Sequence, residues 1–212
     1  KRDMKDSVKL IIGISPHIKS KETVSRMMLD VVIALLPAML FSIYFFGLYS
    51  LGVISISVVF CILTEFISCK ILKRKTTITD FSAVVTGLLF AFCLPPTIPL
   101  WMVAVGSVFC IVVGKQIFGG IGYNPFNPAL VGRAFLQVSW PAEMSRFVSP
   151  YDCITTATPL SITKLGLKGV VPSNFQLFVG ECAGSLGETS KIALLLGAVY
   201  LLFRKQIKLY TP

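Results

Sequence analysis

Apolar runs bounded by lysine and arginine constrain this chain more than any single motif. They lie at about 27–46, 51–71, 81–94 and 100–118, with shorter runs at 129–140 and 192–203. A helix needs about 20 apolar residues to cross the hydrocarbon core of a bilayer, and the longer runs meet or approach that length. Hydrophobic residues make up 54% of the 212 and charged residues only 14%, with a mean hydropathy of +0.79. A soluble domain of this length does not need that much apolar surface. The net charge of +10 would suit a nucleic-acid partner if the bases shared one polar face. They sit instead at the ends of the runs, so the expected partner is lipid, not nucleic acid. The fold class expected is all-α integral membrane: a multi-span bundle with broken helices.

Residues 1–26 carry seven basic and three acidic residues and no apolar core of a cleavable signal. They read as a cytoplasmic amino-terminal arm, with the lone His17 at its surface. A membrane domain is expected over 27–140. An uncharged turn, Gly47-Leu48-Tyr49-Ser50, separates its first two spans, and Pro95-Pro96 ends the third. Two Asn-Pro steps and three glycines in residues 119–128 cannot continue a helix. Asn127 can cap a new helix with Pro128 at its first position. Residues 141–190 read as a long mixed loop, and 191–212 as a further helix with a basic cytoplasmic end.

Short-loop charge orients these spans. The arm, the 70–75 segment and the 204–208 segment hold seven, four and three bases, whereas the two alternate short connectors hold none. The positive-inside rule then places the amino terminus in the cytoplasm and the 141–190 loop outside. The placement of that loop depends on 129–140 crossing the membrane instead of re-entering.

Charges within the runs are few. Asp30, Glu65 and Lys115 fall near run ends, where a solvated interfacial position is the expected one and a functional position the alternative. Arg133 has two balanced readings, neutralising a phosphate or buried acid, or snorkelling to the interface. Cys61, Cys69, Cys93 and Cys110 read as small buried hydrophobes. Cys153 and Cys182 share one loop and have the option of pairing outside the cell. No Gly-rich dinucleotide loop follows a strand, so no nicotinamide site is expected. Neither a self-contained catalytic group nor a metal-ligand set is expected.

Four blocks, in order, resemble a known family. They are Ile78-Thr79-Asp80-Phe81-Ser82, continuing to Leu89; Leu94-Pro95-Pro96-Thr97, continuing to Trp101; Gly119-Gly120-Ile121-Gly122, continuing through Asn127-Pro128 to Phe135; and Asp152 to Ala157-Thr158-Pro159-Leu160. Together they resemble the RnfD/NqrB family of membrane subunits in ion-pumping electron-transfer complexes. The short arm and Ser15-Pro16-His17-Ile18 look more like RnfD, of the ferredoxin:NAD oxidoreductase complex, than NqrB, of the NADH:quinone reductase. The resemblance implies a bacterial or archaeal plasma (inner) membrane location and a place within an enzyme complex. It implies partners among the other Rnf-type subunits, including a flavoprotein. It also implies a urea-transporter-like fold of two inverted five-helix repeats, of which these residues match the first and the opening of the second. The rival functions are an NqrB-type subunit, a flavin-free urea-transporter-like channel, and a flavin-free scaffold.

The resemblance further implies FMN held by a phosphoester on Thr158, with Asp152, Thr155 and Ala157 fitting the attachment motif. Thr156 stands where the family usually has Gly or Ser. A second, non-covalent flavin is left open. A threonine hydroxyl is a weak nucleophile and needs an activating base or metal. No histidine lies nearby and Asp152 is the only close acid, so a separate flavin transferase is the implied agent. Ala157 keeps bulk away, and Pro159 biases Thr158 to an extended backbone.

Overall fold

The computed structural model describes residues 23–73, 78–150, 159–165, 173–188 and 190–207. The expected arm and its His17 lie almost wholly outside them, as do Cys153 and the 151–158 loop. The described residues form helices α1 (Val24–Phe46), α2 (Leu48–Ile71), α3 (Ser82–Phe92), α4 (Leu100–Ile111), α5 (Pro128–Ser139), α6 (Pro141–Met144), α7 (Pro159–Leu165), α8 (Asn174–Val179) and α9 (Lys191–Phe203). No strand occurs among the described residues, so the all-helical expectation holds. α1 and α2 are long and apolar enough to cross a membrane. The protein is a membrane protein of helical construction.

The turn between the first two spans is tighter than expected. It is Gly47 alone, at φ 74, closing α1 and opening α2. A side chain is strained at that φ, and glycine is not. Ser50 then donates from its hydroxyl to the Gly47 carbonyl at 2.6 Å. The same carbonyl accepts from the Ser50 N–H at 3.3 Å, so Ser50 closes the first turn of α2 back onto Gly47.

The helices are inverted in character, with small and polar residues inside and large apolar ones outside. α2 buries Ser50, Ser57, Cys61, Glu65 and Cys69 along one face. α1 buries Asp30, Ala34, Ala38 and Ser42. Leu40, Tyr44, Leu48 and Ile71 point outward at 62, 70, 80 and 73% exposure. In water such a surface would aggregate. Against lipid there is no hydrophobic gain from tucking leucine inside, so close backbone packing and internal hydrogen bonds hold the helices together.

Glycine provides that close packing. A Cβ on Gly87 of α3 would come 2.8 Å from the Val58 Cα of α2, and the Ser57 hydroxyl donates to the Gly87 carbonyl at 2.7 Å. Phe90 of α3, 0% exposed, fills the space that Gly106 of α4 and Gly132 of α5 leave open. α2 packs on α3 and α4, α4 on α5, and α1 on α9. A methyl on Gly197 of α9 would collide with the Ala34 carbonyl of α1.

The mixed loop expected over 141–190 contains three short helices, α6, α7 and α8. Their capping signals are local: Pro141 and Pro159 open the first two, and Ser173 and Gln176 form a capping box on the third.

Candidate functional site

α4 does not end at Ile111 but widens into a π turn, Val112–Gln116. Ile117 N–H donates to the Val112 carbonyl at 3.0 Å, and Gly120 N–H to the Lys115 carbonyl at 3.1 Å, both five residues apart. Buried residues recur along α4 as Met102/Val103, Ser107, and Cys110/Ile111. That four-residue repeat drifts from the 3.6-residue period of an α-helix. The wide turn takes up the drift, so that Gly114, Lys115 and Gln116 all remain inside. Gly114 allows it: a Cβ there would sit 2.8 Å from the Cα of Pro128. The Asn-Pro break is therefore packed directly on the π turn. Such single π turns are frequent at functional sites.

The turn delivers the Lys115 ammonium into a closed polar seat. Its Nζ donates to Glu65 Oε1 at 2.7 Å and Oε2 at 2.8 Å and to Ser82 Oγ at 2.6 Å. All three ammonium protons are thus used. The side chains are 2% and 0% exposed for Lys115 and Glu65. Ser82 is placed by Phe81, whose φ of 56 turns the chain into α3. The expected solvated positions of Glu65 and Lys115 are corrected: both are fully inside the protein. Depth along an apolar run says nothing of which helix face each occupies.

Asp30 is corrected in the same way. It is 2% exposed and accepts from Gln206 Nε2 at 3.0 Å, from Arg204 Nε at 3.2 Å, and from the Tyr200 hydroxyl at 3.3 Å. All three donors lie on α9 or just beyond it. This carboxylate ties α1 to α9.

Cys61, Cys69 and Cys110 are buried, as expected, and Cys93 is only partly so. Cys110 donates to the Pro128 carbonyl at 2.9 Å, and Gln116 Nε2 reaches Cys69 Sγ at 3.8 Å. Cys182 is half-buried, and its suggested partner lies outside the described residues.

α5 starts as expected: the Asn127 side chain accepts from Ala129 N–H at 3.0 Å, with Pro128 in the first turn. Arg133, on this helix, is half-buried and lies within reach of the Cys93 thiol at the end of α3. It has no salt bridge among the described residues. Residues 183–188 fold over the same end of α3, with Leu186 N–H donating to the Leu94 carbonyl at 3.0 Å and Gly187 N–H to the Phe92 carbonyl at 2.9 Å. Within this segment the Ser185 hydroxyl is buried, with no hydrogen-bond partner among the described residues.

Of the residues expected to carry the flavin, Asp152, Thr155, Thr156, Ala157 and Thr158 lie outside the described residues, and Arg133 alone is placed. α7 begins at Pro159, the residue after Thr158. Sequence reasoning does not single out Ser82, nor does it pair Glu65 with Lys115. Two opposite charges in separate apolar runs are the available signal.

Known proteins are similar over nearly all of this chain. A subunit of the Na(+)-translocating ferredoxin:NAD(+) oxidoreductase complex of Acetobacterium woodii is 44% identical over 211 residues, 98% of this chain and 66% of that protein. Its counterpart in the Proton-translocating ferredoxin:NAD(+) oxidoreductase complex of Clostridium ljungdahlii is 43% identical, over 95% of this chain and 64% of its own length. The corresponding member of the Ion-translocating oxidoreductase complex of Salmonella newport is 30% identical, over 95% and 68%. The chain thus spans about two thirds of the length of the curated relatives it matches. Residues 11–212 match the NQR2, RnfD, RnfE family, and the chain belongs to that family.

Proposed function

We propose that this chain is the FMN-carrying membrane subunit of an Rnf-type complex, in which electron transfer between ferredoxin and NAD drives Na+ or H+ across the membrane. The observation that carries this reading is the motif over residues 152–158, present in a family member whose relatives are named as subunits of such complexes. Thr158 is the attachment residue, with Asp152, Thr155, Thr156 and Ala157 shaping the loop for a flavin transferase. When bound, the flavin supplies one-electron chemistry that no side chain here offers.

The described residues fit a phosphate-bearing group at the outer end of α3. Among the described residues Arg133 has no salt-bridge partner there and the Ser185 hydroxyl no hydrogen bond. Arg133 would hold a phosphate through its guanidinium fork. The buried Glu65–Lys115 pair supports the ion-coupling part, since ionisable groups inside a membrane domain mark ion and proton routes. The packing of α9 on α1 suits a second repeat opening beside the first in a urea-transporter-like, multi-pass fold. The amino terminus is cytoplasmic in this reading.

Protein from cells that also contain the transferase should give a fluorescent band on a denaturing gel and added mass on the peptide bearing Thr158. Thr158→Ala should abolish both. An unmodified peptide from the intact complex would remove the flavin reading. Urea flux through liposomes containing the full-length chain would favour the channel instead.

A further inference from the structure

Between α2 and α4 a crevice of about 440 Å³ opens at the surface. Six of its nine lining residues are aliphatic, and it follows α2 from Thr64 to Leu72. Eight residues of helix rise about 12 Å, against roughly 15 Å for the hydrocarbon of one leaflet. The facing wall runs from Val108 of α4 to Ile117, just past the π turn. We propose that this crevice holds one acyl chain of a phospholipid whose anionic head group rests on Lys70 and Lys73. The proposal needs only that α2 lies in a bilayer, and it does not depend on the flavin reading.

Shape selects the chain. The rim residues Ile71 and Ile117 are 73 and 63% exposed, whereas Thr64 and Gln116 on the floor are 7 and 3% exposed. A helix about 10 Å across rests on such a rim, and a single acyl chain is slim enough to reach the floor. Charge selects the head group. Passing from bilayer to protein brings an acyl chain no hydrophobic gain, so preference for one lipid has to come from its polar end. Lys70 and Lys73 flank the crevice residues Ile71 and Leu72 in the chain, and both are exposed. Neither has a salt bridge among the described residues. Arg74 and Lys75 follow in the sequence, and residues 70–75 contain no acid. Long basic side chains at a helix end reach the level of the head groups. Each one there favours an anionic lipid about fivefold.

The test uses the intact complex with a photo-reactive benzophenone amino acid in place of Ile67, which lines the crevice and is 53% exposed. The complex is placed in nanodiscs of phosphatidylglycerol and phosphatidylcholine in equal amounts and irradiated, and the labelled peptide is weighed. The expected adduct is phosphatidylglycerol, in about 25-fold excess if both lysines act. Lys70→Gln with Lys73→Gln, both at exposed positions, should remove most of that excess. The same probe at Phe66, exposed at the same depth but outside the crevice lining, should show no comparable excess. Equal yields of the two lipids at position 67, an excess unmoved by the lysine variant, or the same excess at position 66 each overturns the proposal. An adduct with another protein chain also overturns it, and marks the crevice as the seat of a partner helix. Should the probe prevent assembly, native mass spectrometry of wild type and the lysine variant, titrated with each lipid, reads the same ratio. The readout needs no turnover, so missing flavin or missing ferredoxin:NAD activity would count against the functional reading and leave this result standing.

Discussion

Glu65 accepts two hydrogen bonds from a single ammonium, and removing either side chain takes from the other its opposite charge inside a helical bundle. Glu65→Gln alone should therefore destabilise the folded protein by about 3–5 kcal/mol. The pair replaced together, Glu65→Gln with Lys115→Met, should recover most of that loss, because no unpaired charge remains. Unfolding in detergent under a denaturant series would measure the cycle; equal losses in single and double variants would refute the pairing. Cys182 is a second residue with a defined expectation. Burial pushes its thiol up, Lys191 partly offsets this, and Glu188 adds to it. It lies outside the long helices, so it should react with iodoacetamide more slowly than a free thiol at mildly alkaline pH and catch up as pH rises. The sign for stability follows. A thiol whose folded pKa is raised holds its proton longer when folded, so this contribution weakens as pH climbs above the unfolded value. Neither effect is legible in the sequence. The Lys115 and Glu65 side chains lie 50 residues apart along the chain, and nothing local indicates that they meet.

At the level of single helices, the local signals read well. Asn127 followed by Pro128 announces the start of α5, and the structure shows that cap. Asn127→Ala should weaken the fold by about 1 kcal/mol, visible as a lower unfolding midpoint. The Gly47 turn is legible as a break but not in length, because one residue in the left-handed region suffices when Ser50 ties back to it. The π turn is not legible at all. It depends on Gly114 meeting the Pro128 backbone, a contact between segments whose sequence patterns look unrelated. Gly114→Leu should force α5 away from α4 and disturb the Lys115 seat. The expected readout is a large fall in folded yield, with the Asn127 cap itself left intact. A variant that folds and assembles normally would show that the close approach is dispensable.

Across the whole molecule, two clamps join α1 to α9: the Ala34–Gly197 backbone approach and the Asp30 carboxylate with its three donors. Asp30→Asn keeps the shape but loses the charge that meets Arg204. It should loosen α9 and raise protease sensitivity after Phe203 while leaving the Glu65 seat unchanged. The clamps matter because α9 shows lipid or partner helices a continuous apolar face, with Leu194, Leu195, Leu196 and Phe203 at 42, 53, 54 and 82% exposure.

Reading along the chain suffices to establish that it is helical, that its runs are of membrane length, where proline and glycine interrupt them, and which family it belongs to. These follow from local steric limits and from hydropathy summed residue by residue, and neither needs a neighbour. Packing in three dimensions is what turns Asp30, Glu65 and Lys115 inward, brings Ser82 to the Glu65–Lys115 seat, and sets the Asn-Pro break against a π turn. A helix rotates by about 100° per residue, so a charge at a given depth can face lipid or protein. Which one it faces is set by what packs against it.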